Sequence, residues 1–418
     1  MKQTALPARR ALLAALSTLA VGIPCCAGSD MAPSSEVKGL RVLAVTADKP
    51  YAAAEELVTF RMTYADAKGA EDGAPRKVEV TWVGGCVNPP VGVDEHLGCI
   101  PQWLGTYAAG IVANPGGGGG GSGGDGGSGG DGGSGGDGGS GGAGGGEGGN
   151  GGAGASGDGG DGSGGGDGER TVPFAQQEIG PEKSGEPDAV SFTWKLPKEI
   201  LKDARPTETG TVYSSAYVLF AVCAGTTRVA SAPEKAGFPL ECVGDDGTVL
   251  GPDSFVVGYT QVYVFKKERL NTNPPIDGFT LKLDGNEVAP GEDGLPVVKR
   301  CVRPEEQAQG CGRTEPAEDE CTTYEIEAVV PEKAAEVDEE AAGLGGPPAR
   351  EAIWVDYYTD GGEFDGARRL VSDTTGASRG GNGTTWTPPS EPGRVSLWAV
   401  VHDTRGGASV TRREMQVE

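Results

Sequence analysis

Only two histidines, His96 and His402, stand in this chain of 418 residues. Any Ser-His or Cys-His nucleophilic pair would have to use one of them, and so would a zinc site with an imidazole ligand. The nine cysteines include no C-x-x-C, so the close spacing of a structural zinc site is missing. The run "DYYTDGGEFDG" offers Asp356, Asp360, Glu363 and Asp365, which could cradle calcium, but it lacks EF-hand spacing. "GGSGG" at 120–124 has the letters of a G-x-S-x-G nucleophile elbow. That elbow needs a strand before it and a helix after it, and polyglycine supplies neither. "DTTG" at 373–376 is one residue too long for the D-T/S-G of an aspartic protease. With 60 Asp and Glu, carboxylate pairs for glycoside cleavage are everywhere and therefore uninformative. The sequence assigns no catalytic residue, no metal ligand and no cofactor. Both histidines read as structural, and Trp103, Tyr357 and Tyr358 read as core or strand-pairing residues before ligand-site ones.

The cysteines instead point to location. The N-terminus "MKQTALPARRALLAALSTLAVGIPCCAGSD" has a charged region with Lys2, Arg9 and Arg10, followed by an apolar stretch over 11–23. That stretch is too short to span a bilayer, so residues 1–25 read as a lipoprotein-type export signal. Cys26 or Cys25 is the candidate lipid acceptor, with Cys26 ahead because Pro24 precedes Cys25, and residues 26–39 read as a tether. Ordinary cleavage after Ala27 is the alternative, leaving the protein secreted or periplasmic. In an exported chain, cysteines are disulfide candidates first. Cys86 with Cys99 and Cys223 with Cys242 are each close in sequence, whereas Cys301, Cys311 and Cys321 leave one over. The net charge of −25 repels phosphate backbones, so nucleic acid is not an expected partner.

The elements that would position such residues are short alternating runs. Val58, Phe60, Met62 and Tyr64 share one face of a strand, as do Val78, Val80 and Trp82, and Phe192, Trp194 and Leu196. Farther along, Phe279, Leu281 and Leu283 alternate, as do Tyr324, Ile326, Ala328 and Val330, and Val395, Leu397, Ala399 and Val401. "VYSSAYVLFAVCA" and "FVVGYTQVYVF" are apolar on both faces, as central strands would be. Helical signals are confined to "LPKEILKDA" and "PEKAAEVDEEAAGLGG". From 116 to 168, 36 of 53 residues are Gly, a composition that cannot offset the entropy of ordering it. Too few strands precede this tract to close a sandwich, so it reads as a disordered insertion within one domain. The expected fold is all-β, with two Ig-like β-sandwich domains over 40–266 and 274–418. "NTNPPIDG" marks the boundary between them.

The segment "WTPPSEPGRVSLWAVVHDTRGGAS" resembles the end of PKD-like and Ig-like domains through Gly393, Val395, Leu397, Ala399, Val401, Asp403 and Gly406. "LRVLAVTADKPYAAAEELVTF" and "TWVGGCVNPP" resemble exported lipoproteins of the myxobacterial type. That resemblance implies outer-membrane anchoring and transfers no activity. The expectation is a non-enzymatic protein held on the cell envelope through a lipid, with a binding or structural role toward a protein or glycan. The alternative is an exported enzyme or carbohydrate-binding accessory module.

Overall fold

The computed structural model describes residues 33–69, 76–88, 98–113, 173–206, 210–230, 239–302, 321–338, 349–375 and 380–418. Residues 1–25, read as an export signal, together with Cys26, His96, Cys311 and the 116–168 tract lie outside the described residues.

The first sandwich is built from β1 (Leu40–Ala47), β2 (Tyr51–Ala52), β3 (Leu57–Asp66), β4 (Val78–Val87) and β5 (Phe174–Ile179). It continues through β6 (Val190–Lys195), β7 (Arg205–Pro206), β8 (Val212–Cys223), β9 (Thr226–Val229), β10 (Leu240–Val243) and β11 (Phe255–Phe265). One sheet runs β1-β3-β6 and faces a second of order β2-β11-β8-β4-β5, with β7 on β8. The alternation expected of these strands buries Phe60, Met62, Tyr64, Val80, Trp82 and Phe192 in one core. Trp82 stacks on Phe192 at 5.6 Å between ring centres. The strands on either side of the Gly-rich tract, β4 and β5, pair antiparallel from Val78↔Ile179 to Val83↔Phe174. The chain therefore returns to the strand it left, as a loop insertion requires.

Helix α1 (Ile100–Ala113) follows Cys99 and has no counterpart in the sequence expectations. Its Trp103 and Tyr107 bury against Val83, Tyr217 and Leu219, on the face of the second sheet away from the main core. The β9–β10 hairpin adds Leu240 to the same cluster. This second cover explains why β8 is buried on both faces along most of its length. The strand β11, read as central, instead lies beside the edge, and among the described residues its outer side pairs with just the two residues of β2. Its Val257 and Tyr259 are exposed. The segment Pro197–Ala204, read as helical, folds as turns, with Ile200 N–H donating to Pro197 O and Lys202 N–H to Glu199 O. These are i→i−3 bonds, whereas an α-helix is propagated by i→i−4 bonds, and the run is too short to repay nucleation. The described part of "PEKAAEVDEEAAGLGG", 331–338, is likewise turn and extended chain.

The second sandwich comprises β12 (Gly278–Leu283), β13 (Asn286–Glu287), β14 (Val297–Val298), β15 (Tyr324–Val329) and β16 (Ile353–Thr359). It is completed by β17 (Glu363–Phe364), β18 (Arg368–Ser372), β19 (Thr384–Thr387), β20 (Gly393–Asp403) and β21 (Ala408–Val417). Its two five-stranded sheets run β13-β12-β15-β19-β17 and β14-β21-β20-β16-β18. Leu281, Ile326, Tyr357, Trp386, Leu397 and Val401 fill the space between them. Leu283, expected beside Leu281, lies at the strand end and is exposed.

The two sandwiches share a packed seam. Leu43, Ala44 and Ala65 of the first bury against Trp398 and Val400 of the second, with Val37 from the preceding segment. Trp398 Nε1 donates to Gly185 O at 2.8 Å. The boundary segment is tied in as well: Asn273 Nδ2 donates to Ala47 O and Asn273 Oδ1 accepts from Ala408 N.

Among the described residues three disulfides staple this frame: Cys86–Cys99, Cys223–Cys242 and Cys301–Cys321. The third settles the odd triplet in favour of its outer members. Disulfides of this kind mark a protein that folds in an oxidising, exported setting. Among the described residues no helix is long and apolar enough to cross a membrane.

Candidate binding cleft at the seam

Strand pleating places Gln261, Tyr263 and Phe265 on one face of β11, while Val262 and Val264 point into the core. Tyr51, on the short edge strand β2, pairs in register with Tyr263. Its ring lies 6.0 Å from that of Tyr263 and 4.7 Å from that of Phe265. Tyr213, at the start of β8, sits 5.9 Å from both Tyr263 and Phe265. These half-buried rings form one wall of a cleft of about 580 Å³. The opposite wall comes from the second sandwich: Trp354 on β16 and the turn Asp403–Gly406 between β20 and β21.

That turn is built by its own sequence. Asp403 Oδ1 accepts hydrogen bonds from the N–H groups of Arg405 (2.7 Å) and Gly407 (2.8 Å). Gly406, at φ +93°, supplies the left-handed residue such a turn needs. Burial pushes the Asp403 carboxyl above its ordinary range, against the opposing pull of those two N–H groups and of Arg405. Asn271 lies within reach of this carboxylate, yet Oδ2 makes no hydrogen bond of ordinary geometry.

Arg405 then turns back to bind the seam. Its Nε donates to Glu351 Oε2 at 2.7 Å, Nη2 pairs with Glu336 and Nη1 donates to Leu270 O. The guanidinium lies 5.7 Å from the centre of the Tyr51 ring. Arg269 covers the other side of the aromatic cluster, 4.7 Å from the Phe265 ring, and pairs with Asp338 at 3.5 Å. Burial raises the Tyr51 phenol to about 12, overcoming the two nearby arginines, so its hydroxyl keeps its proton at neutral pH.

Asp403 and Gly406, named from sequence through the final-strand resemblance, form the cleft's turn, whereas the candidate site residues do not line it. His402 packs flat on Trp354, with ring centres 5.2 Å apart, and its Nε2 lies 3.4 Å from Asp356 Oδ2. Arg368 binds both oxygens of Asp356, at 2.6 and 2.9 Å. Burial opposes ionisation of Asp356, but His402 and Arg368 outweigh it and hold the carboxyl at about 2. Asp360 accepts from Ser396 N–H at 2.8 Å. The acids of "DYYTDGGEFDG" are thus divided between separate contacts. Among the described residues, no group of three or more His, Cys, Asp and Glu is placed to hold a metal ion. Trp103 and Tyr357 are core residues, and Tyr358 packs at the seam. The cleft residues Tyr51, Tyr213, Tyr263 and Phe265 were missed, although the outer-face aromatics of "FVVGYTQVYVF" were a visible signal.

No family model matches the sequence, and no curated protein does. Among solved structures, dimeric latent PorU from Porphyromonas gingivalis is similar over 92% of this chain and 24% of its own, at 9% identity and a TM-score of 0.17. The BSP domain of a biofilm-associated protein is similar over 92% of this chain and 52% of its own, at 7% identity and a TM-score of 0.18. This chain thus spans well under two thirds of either one. At such scores the similarity adds nothing to what the sheets themselves show.

Proposed function

We propose that this is an exported, non-catalytic binding protein, held on the cell envelope by a lipid on Cys26 or Cys25, that presents the seam cleft to a ligand. The observation that carries the reading is the cleft itself: half-buried aromatic rings from one sandwich face a hydrogen-bonded turn from the other. A volume of about 580 Å³ falls within the roughly 300–1,000 Å³ usual for small-ligand sites. Non-catalytic binding is favoured because the charged groups are committed to structure. Arg405 and Arg269 are paired, and Asp403 orders the turn. No described histidine lines the cleft to serve a nucleophile. The lipid anchor rests on the N-terminal sequence and on the resemblance to exported lipoproteins.

Two measurements test this reading. Radioactive palmitate should label the wild type and one of the two variants Cys26→Ala and Cys25→Ala but not the other; an unlabelled wild type removes the anchor. The Cys25→Ala/Cys26→Ala chain, unable to bind through a lipid, should still sediment with isolated bacterial envelopes and lose that property on Tyr263→Ala. Equal sedimentation of both chains would remove the cleft.

A further inference from the structure

We infer that the ligand of the seam cleft is a neutral oligosaccharide. The inference rests on the cleft being a binding site and goes further by naming the chemistry it accepts.

Charge comes first. Both cations lining the cleft are neutralised within the protein, Arg405 by Glu351 and Glu336 and Arg269 by Asp338. Their guanidinium planes already lie over the Tyr51 and Phe265 rings. The Tyr51 and Phe265 rings that a quaternary ammonium ligand would use are therefore already taken by arginine. An anionic ligand would have to displace Glu351, whose side chain is fully buried, or its partners. A ligand with no net charge meets neither obstacle.

Surface chemistry comes second. Tyr263, Tyr213 and Trp354 line the cleft and are partly exposed there, with Trp354 also stacked on His402. Flat apolar faces of this kind accept the C–H face of a sugar ring. Polar groups lie between them: three tyrosine side chains and the amide of Gln261, whose Nε2 donates to Tyr263 Oη and whose carbonyl oxygen is an acceptor. Hydroxyls both donate and accept, so a polyol satisfies such a mixed set better than a purely apolar peptide side chain does. The Tyr51 phenol, pushed upward by burial, stays a donor throughout the neutral range. Geometry comes third. The wall of β11 and β2 and the turn after β20 belong to different sandwiches, but the seam fixes them relative to one another through Asn273 and Arg405. A site held in this way has little freedom to reshape itself, which favours a rigid ring over a floppy segment.

The test uses the Cys25→Ala/Cys26→Ala full chain and a panel of uncharged oligosaccharides built from glucose, galactose, mannose or N-acetylglucosamine. Saturation-transfer NMR should show contact with at least one series. Tyr263→Ala and Gln261→Ala should each weaken its binding at least tenfold, with melting temperatures kept near wild type. Envelopes treated with periodate, which cleaves vicinal diols, should no longer bind the chain, whereas protease-treated envelopes should. Loss of binding with protease but not periodate would overturn the glycan while leaving the cleft reading intact. So would a panel that shows no contact at millimolar concentration while envelopes still bind in a Tyr263-dependent way. Oligosaccharide binding that survives both substitutions would overturn the assignment to this cleft.

Discussion

Replacing Arg405 by Met should destabilise the protein by about 3–5 kcal/mol at neutral pH, because it strands a buried carboxylate. The Arg405 side chain is 6% exposed and that of Glu351 0%. Once Arg405 is gone, Glu351 keeps the N–H of Glu336 at 2.9 Å as a partner but loses its cation. The backbone carbonyl of Leu270 loses a donor at the same time. The deficit should depend on pH in a definite direction. Burial already holds the Glu351 carboxyl above its ordinary range, even with Arg405 beside it. A group whose folded value is raised gains stability as pH falls through that value, and the gain is complete below the unfolded value of about 4.3. Removing Arg405 raises the folded value further, so the variant recovers more than the wild type does on acidification. Urea unfolding at pH 7.5 and pH 4.5, followed by tryptophan fluorescence, should show the gap narrowing. The double variant Glu351→Leu with Arg405→Met should recover a large part of the loss at pH 7.5. A loss under about 1 kcal/mol, or a gap that is the same at both pH values, would refute the account of this ion pair.

Two other perturbations have expected outcomes. Asp356 is held at about 2 in the folded chain, so its contribution is present above the unfolded value near 3.9 and disappears as pH falls toward 2. Asp356→Asn should flatten the stability profile between pH 4 and 2 by about 1–2 kcal/mol, as read by acid-dependent denaturation. Joint replacement of Cys301 and Cys321 by Ser opens a loop of sequence separation 20 and should lower stability by about 3 kcal/mol, and non-reduced peptide mapping of the wild type should recover these two cysteines in one linked pair.

The hydrophobic cores could be read from sequence because strand alternation is binary. Val58, Phe60 and Met62 either all face inward or all face outward, and a one-residue slip would expose the whole set. The same logic misplaced β11. Apolar residues on both faces do not require cover on both sides, and Tyr259 stays 43% exposed. Helix α1 was hidden because "IPQWLGTYAAGIVA" carries no charge to mark a solvent face and includes Gly105 within the helix. Its only clue was the need to cover the outer side of β8. The cleft was illegible for a topological reason. Tyr51, Tyr263 and Arg405 are separated by most of the chain and meet only because β2 runs parallel to β11 and the turn after β20 packs on both. Spacing along a sequence does not report a site assembled in that way.

The segment just before β1 has a mechanical consequence. Thr359 N–H donates to Ser35 O at 2.9 Å and Val37 N–H donates to Thr359 O at 2.7 Å, so residues 35–37 run alongside the end of β16 as a parallel neighbour. The chain thus grips the second sandwich before it enters the first. Tension arriving from upstream of Pro33 is transmitted to β16 as well as to β1, and it loads the Ser35 and Val37 bonds together, in shear. Because Val37 is itself packed in the seam cluster, such a load would reach both sandwiches and the seam between them together.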